Sequence, residues 1–404
     1  MSFSNLVRDL WKPALHTVLP LAMVTTALAQ DFNAEPANAP DQRPAFAGQT
    51  RAPVIADEIK LTQTIIADGL DHPWGMAELP DGSWLVTERS GSLRLISADG
   101  KKSEPIAGLQ EVHASGQGGL LDVAVRDDFA ETRRVWWSFA QPRGAEGNAT
   151  AVATGVLAAD NATLTDVRVI FQQQPAWQSN NHYGSRLVFD SSGALFVTTG
   201  ERSAREPRQL AQDVGTHLGK VLRIKPDGGA ADGNPVIPGG LPEIWSYGHR
   251  NLQAAAMGPD GALWTVEHGP RGGDELNRPE AGKNYGWPVI TYGLEYSGAP
   301  IGEGLTARDG MEQPVYYWDP VIAPSGMAFY EGDMFPEWRG SALIGSMGSL
   351  SLVRLTLDGG KVSGEARYLE GIGRVRDVAV ARDGAIMLLT DDDDGALIRV
   401  TPQS

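Results

Sequence analysis

One phrase recurs along this chain and limits what it can become: a turn closed by glycine, followed by a short apolar strand. It reads Asp81-Gly82-Ser83-Trp84-Leu85-Val86-Thr87, Ser192-Gly193-Ala194-Leu195-Phe196-Val197-Thr198, Asp260-Gly261-Ala262-Leu263-Trp264-Thr265-Val266 and Asp383-Gly384-Ala385-Ile386-Met387-Leu388-Leu389. Arg339-Gly340-Ser341-Ala342-Leu343-Ile344-Gly345 is a weaker copy, and Arg134-Val135-Trp136-Trp137-Ser138-Phe139 falls in the right interval without an Asp-Gly. Asp-Gly before an alternating apolar run is a hairpin signal. The anchors near 82, 133, 193, 261, 340 and 384 are about 60 residues apart on average. Six such units predict an all-β fold, a six-bladed β-propeller of four-stranded antiparallel sheets around a central channel. A large β-sandwich or another β-solenoid is the alternative that these irregular spacings leave open.

The N-terminus reads differently. Arg8 and Lys12 precede an apolar stretch, residues 14–29, that ends in Ala27-Leu28-Ala29 before Gln30. A short positive region, an apolar run and a small-x-small ending form a secretory leader, and the run is too short to span a bilayer comfortably. Residues 1–29 are therefore expected to be a cleaved signal peptide, and the mature protein periplasmic or secreted. Residues 30–57, rich in Ala, Pro, Asn, Asp and Gln without apolar periodicity, are expected to be a flexible linker. The propeller domain is expected over 58–404.

Composition then removes whole classes of function. The net charge of −16 opposes binding to nucleic acid, which rests on basic contacts to phosphate, and to anionic membrane surfaces. The absence of cysteine excludes disulfides, thiolate catalysis, Cys-ligated zinc and iron–sulfur clusters.

In a propeller, ligands sit at the channel mouth on loops joining the blades, so polar loop motifs are where chemistry is expected. Ser115-Gly116-Gln117-Gly118-Gly119 would let backbone approach a ligand, with Gln117 as its hydrogen-bonding side chain, although a plain glycine turn reads equally well. His182, in Asn180-Asn181-His182-Tyr183-Gly184-Ser185-Arg186, has the titration range of a general base; a structural histidine bonding blade loops is the alternative. Arg250 in Gly248-His249-Arg250-Asn251 offers a fork for carboxylates, or a surface salt bridge, and Asn251 a donor beside it. The loop Glu267-His268-Gly269-Pro270-Arg271-Gly272-Gly273-Asp274-Glu275 combines carboxylates with bent backbone, as hard-cation sites do. Arg374 and Arg376 share a strand face and call for an anion between them, unless both point to solvent. The acidic tract 391–394 reads as a hairpin turn rather than a site.

Taken in order, His72-Pro73-Trp74-Gly75, Gly116-Gln117-Gly118-Gly119-Leu120-Leu121, the His182 and Arg250 motifs, Gly219-Lys220, His268-Gly269-Pro270, Asp274-Glu275-Leu276-Asn277 and Asn284-Tyr285-Gly286-Trp287-Pro288 resemble the glucose/sorbosone dehydrogenase family. The resemblance runs from about residue 65 to the C-terminus. It implies a quinoprotein that oxidises aldose sugars with pyrroloquinoline quinone (PQQ) and calcium, passing electrons to a dye, quinone or cytochrome, as a monomer or homodimer. It implies His182 as catalytic base, with Gln117, Arg250, Asn251, Tyr296, Arg374 and Arg376 on the cofactor. Gly269 and Pro270 would give carbonyls to the cofactor's calcium, and Glu275 and Tyr285 would serve a second calcium. Two positions depart from the family pattern. Asn181 stands where the glucose-specific branch has Asp, so the base would be either weaker or partnered elsewhere. Gly348 or Ser349 stands where the family commonly offers a cofactor-binding lysine. A metal-dependent lactonase and a non-catalytic binding propeller are the competing readings.

Overall fold

The computed structural model describes residues 24–25, 31–57 and 59–403. Six sheets are arranged in a ring. Their innermost strands are Pro73–Glu78, Leu120–Val125, Gly184–Phe189, Leu252–Met257, Pro324–Phe329 and Val375–Val380. Each packs on the next, and the sixth packs on the first. The antiparallel second strands are Trp84–Glu88, Arg134–Pro142, Leu195–Thr199, Leu263–Glu267, Ala342–Ser346 and Ile386–Thr390. The six-bladed propeller is thus as expected. Each anchor read from the sequence is the turn from a first strand to a second.

The backbone explains why one anchor lacked its glycine. Gly82, Gly193, Gly261, Gly340 and Gly384 all have φ between 75° and 87°, and Arg133 holds the same place at φ 50°. Its guanidinium compensates by bonding the carbonyls of Leu157 and Ala158 (2.8 and 2.9 Å). Such a position is uncommon for a residue with a Cβ.

Blades two to five are four-stranded. The first has three strands, with a lone bridge from Ile96 to Lys102 where a fourth would run. The last is closed by an N-terminal strand, Leu61–Leu70, paired with Gly395–Pro402, which ties the two ends of the chain into one sheet. Alternating side chains of each strand face the neighbouring blades. The apolar core is therefore divided into slabs between blades. Leu85, Val135 and Trp137 fill the one between blades one and two, and Leu343, Trp338, Leu388 and Val400 the one between five and six.

All six innermost strands carry a register shift near their start, the mark of a β-bulge. Around these bulges a charged plug is built. Arg186 Nη1 lies 2.9 Å from Asp122 Oδ1 and 2.9 Å from Asp377 Oδ1, with all three side chains buried. Gly75 and Gly326 make room for it, since a Cβ at either would overlap Asp122 or Asp377. Trp74 lies under the Arg186 guanidinium at 4.4 Å.

Residues 31–57 correct an expectation. They are seated on blades four and five rather than forming a flexible linker. Asn38 and Ala39 give their N–H groups to Asp319, Gln49 is fully buried, and Ile55 N and Pro53 O pair with Glu365. These bonds come from backbone groups, so they leave no apolar period in the sequence. Of the expected signal peptide only Val24 and Thr25 are described, as a short strand against Leu61 and Thr62; the rest lies outside the described residues. No helix among the described residues is long and apolar enough to cross a membrane.

Candidate active site

Antiparallel pairing gives the propeller a functional end. The chain enters every innermost strand, and leaves every second strand, at the same end of the channel. Gln117, His182, Arg250, Asn251 and Arg374 precede innermost strands. Glu201, Gly269, Pro270 and Asp391 follow second strands. One face of the ring thus receives nearly all of the candidate residues.

His182 is 5 % exposed and has φ 51°, in the left-handed region. Its N–H donates to Gln117 Oε1 at 2.8 Å. Its ring Nδ1 lies 3.2 Å from Glu201 Oε1, and Glu201 is itself buried and accepts from Ser203 N. Glu201, not Asn181, is the hydrogen-bond partner of the His182 ring. Burial would raise the Glu201 carboxyl, but His182 and Arg250 hold it below its ordinary value. Against an ionised carboxylate, Nδ1 carries the proton. Nε2 then holds the lone pair, and no hydrogen bond engages it among the described residues. Burial, then Arg250, pushes the imidazole pKa below its usual value, with Glu201 opposing. The ring is therefore neutral at neutral pH, with the Nε2 lone pair open to a proton. Ser185, Arg202 and Ser203 also have positive φ, so backbone strain concentrates around this dyad, as it does at functional sites.

Arg250 reaches across from the next blade. Its Nη1 donates to the carbonyls of His268 and Gly269 (2.9 and 2.8 Å), and Nη2 lies 3.5 Å from the hydroxyl of exposed Tyr296. Its buried Nε has no partner. Asn251 is buried with Oδ1 accepting from Gly184 N, next to the base. On the far side, Arg376 is buried and Arg374 half-exposed, and both reach Asp391. The anion expected between these arginines is thus supplied from within, by the first residue of a tract read only as a turn. His72 Nδ1 also contacts Asp391, at 2.9 Å. Arg376 Nε remains buried and unpartnered.

The cation loop is held by Asp274, whose Oδ1 accepts from Gly269 N and whose Oδ2 accepts from Ile322 N and Ala323 N, each at 2.8 Å. Burial pushes Asp274 up to about 7. Glu275 and Tyr285 lie around one buried cluster. Asn277 Nδ2 donates to both Glu275 and Glu267 at 3.0 Å, Glu267 holds His249, and the Tyr285 ring stacks on His249. Burial and the Glu267 charge hold Glu275 well above the ordinary carboxylate range, a tension that a cation would relieve. The Tyr285 hydroxyl is already committed to Arg278 O. Among the described residues no three His, Asp or Glu side chains are grouped to hold a metal, so a cation here would have to draw on carbonyls.

The departure at 348–349 has a steric cause. Gly348 N donates to Ile322 O, and a Cβ at 348 would press on that carbonyl. Ser349 Oγ is engaged with Ser346 and Ser351. A lysine does not fit at 348 without moving the 319–323 connection.

Sequence reasoning missed Glu201, dismissed Asp391, and did not foresee the Asp122–Arg186–Asp377 plug. The available signal for Glu201 was an acidic residue two positions beyond the strand Leu195–Thr199, where a channel-mouth loop begins. The site as a whole combines an anchored base with orphaned buried arginine nitrogens in an acidic chain. That chemistry fits an anionic ligand.

Comparison with known proteins agrees with this arrangement. The glucose/sorbosone dehydrogenase family profile matches residues 70–399. The chain is 45% identical over 347 residues to the aldose sugar dehydrogenase of Escherichia coli strain K12, covering 84% of this chain and 92% of that one. The crystal structure of the soluble E. coli aldose sugar dehydrogenase in its apo-form matches with TM-score 0.81 and 43% identity, over 85% of this chain and 100% of that one. The PQQ-bound aldose sugar dehydrogenase of Streptomyces coelicolor matches with TM-score 0.69 and 30% identity, over 85% of this chain and 100% of that one. A ring of six blades, a buried His182–Glu201 pair at its mouth and a family match over most of its length make this chain a member of the glucose/sorbosone dehydrogenase family.

Proposed function

We propose that this protein is an exported aldose sugar dehydrogenase. It oxidises its substrate at the anomeric carbon to a lactone, with PQQ and calcium at the channel mouth, and passes electrons to an acceptor other than oxygen. The observation that carries this reading is the His182–Glu201 dyad, which leaves Nε2 of a neutral imidazole unengaged beside a cluster of arginines.

In this reading Nε2 of His182 takes the proton from the anomeric hydroxyl, and Glu201 stabilises the imidazolium that results. Gln117 fixes the backbone of the base through its bond to His182 N. Arg250, Asn251, Tyr296, Arg374 and Arg376 would hold the cofactor's anionic groups, with Arg250 Nε and Arg376 Nε as free donors. The carbonyls of Gly269 and Pro270 would hold the calcium beside it, and Glu275 and Tyr285 a second, structural ion. When bound, the quinone supplies the two-electron acceptor for the C1 hydride and calcium the Lewis acid that polarises it. A lactonase would need carboxylates free for a channel calcium, but Asp122 and Asp377 are committed to Arg186.

Purified protein loaded with PQQ and calcium is expected to reduce an artificial dye with glucose and to yield gluconolactone. Chelation is expected to abolish the rate and added calcium to restore it. A loaded protein that reduces no dye with glucose or any other aldose would overturn the reading.

A further inference from the structure

The segment 31–57 reaches the active-site end of the molecule through one connection. Asn38 and Ala39 donate to the two oxygens of Asp319, and Asn38 Oδ1 accepts from Val321 N at 2.9 Å. Arg51 adds a bond to Asp319 O at 2.8 Å. The connection so gripped, residues 319–323, is held from the other side by Asp274 through Ile322 N and Ala323 N. The second oxygen of Asp274 holds Gly269 N. Gly273 N bonds Trp318 O, and a Cβ at Gly272 would lie 3.2 Å from the Ala39 methyl. Ile322 O also receives Gly348 N and Ser346 Oγ. A single strip of backbone therefore joins the N-terminal segment, the Gly269–Pro270 loop and the 346–349 turn.

We propose that residues 31–57 are a clamp belonging to the active site, with Asn38 and Ala39 as positioning residues for the Gly269–Pro270 carbonyls. The inference rests on the proposed cofactor chemistry and adds to it a part outside the family profile, which begins at residue 70. The physical case is that a carbonyl holds a cation well only if its peptide is fixed in advance. Here the fixing passes through two carboxylates, Asp319 and Asp274, each satisfied by backbone N–H groups. Outer-shell partners of this kind typically account for about 10- to 100-fold in metal affinity. The folding core is independent of Asn38, which lies outside the apolar slabs between blades.

The test uses the full chain and a binding readout. PQQ is titrated at one fixed calcium concentration below saturation, followed by quenching of tryptophan fluorescence, and the melting temperature is measured without either. Asn38→Ala removes only the bond to Val321 N, since the backbone N–H groups that hold Asp319 remain, and is expected to weaken PQQ binding by less than about tenfold while leaving the melting temperature of the unloaded protein nearly unchanged. Asp319→Ala is expected to weaken it further, and Asp319→Asn, which keeps one acceptor, to fall between Asp319→Ala and the unaltered protein. Equal PQQ affinity in Asp319→Ala, which removes both acceptors of the Asn38 and Ala39 N–H groups, and the unaltered protein would overturn the clamp. An unaltered protein that binds no PQQ would instead overturn the proposed function.

Discussion

Replacing His182 with alanine is expected to lower kcat for glucose oxidation by about 10³-fold, within the range that positioned general bases contribute. The loss should fall on kcat more than on KM, because the ring nitrogen acts on a proton in flight. Glu201→Gln is expected to cost less, about 10- to 100-fold, and to change the pH profile in a defined direction. In the proposed role His182 works as the neutral ring, so activity is expected above its pKa and is lost as pH falls through it. Glu201 is the group that raises this pKa against burial and Arg250. Removing its charge lowers the pKa further and moves the acid limb of the rate profile to lower pH, beneath a reduced plateau. A profile from pH 4 to 9 checks both effects, and an acid limb moving upward would show that Glu201 does not act on the base.

The second large effect concerns stability. Arg186→Met leaves Asp122 and Asp377 buried without their shared cation, and removal of one member of a buried ion pair typically costs about 3–5 kcal/mol. Burial already raises both carboxyls, Asp377 to about 7, with Arg186 opposing. A carboxyl raised in the folded state binds its proton more tightly there than in the unfolded chain. Its contribution is therefore complete at low pH and lost as pH rises through the folded value. Without Arg186 that penalty increases, so the defect should be smallest near about pH 5 and grow toward about pH 8. Denaturant unfolding at the two pH values measures it. The triple variant Arg186→Met, Asp122→Asn, Asp377→Asn should regain much of the loss, since the charges then disappear together. A defect independent of pH would assign the role of Arg186 to packing on Trp74 instead.

The fold was legible because a hairpin's backbone restricts residue choice locally. Positive φ at 82, 193, 261, 340 and 384 demanded glycine, and the exception at Arg133 is supported by tertiary bonds that no local pattern records. The gathering of His182, Arg250, Arg374 and the 267–275 loop at one end of the channel was legible through motif order. Their partners were not. Glu201 meets His182 only because two neighbouring strands of blade three start and end at the channel mouth. Residues 391–394 look uniform in sequence, yet Asp391 is buried on two arginines while 392–394 are exposed. The segment 31–57 was misread because backbone N–H groups hold much of it, and they have no sequence signature.

The most direct measurement is a single turnover: quinone-loaded protein is mixed without an external acceptor with glucose carrying hydrogen or deuterium at C1, and the quinone absorbance is followed. The expected result is a glucose-dependent change that deuterium slows and that His182→Ala slows by about 10³-fold. An absorbance that does not respond to glucose, or that responds equally fast in His182→Ala, would contradict the account.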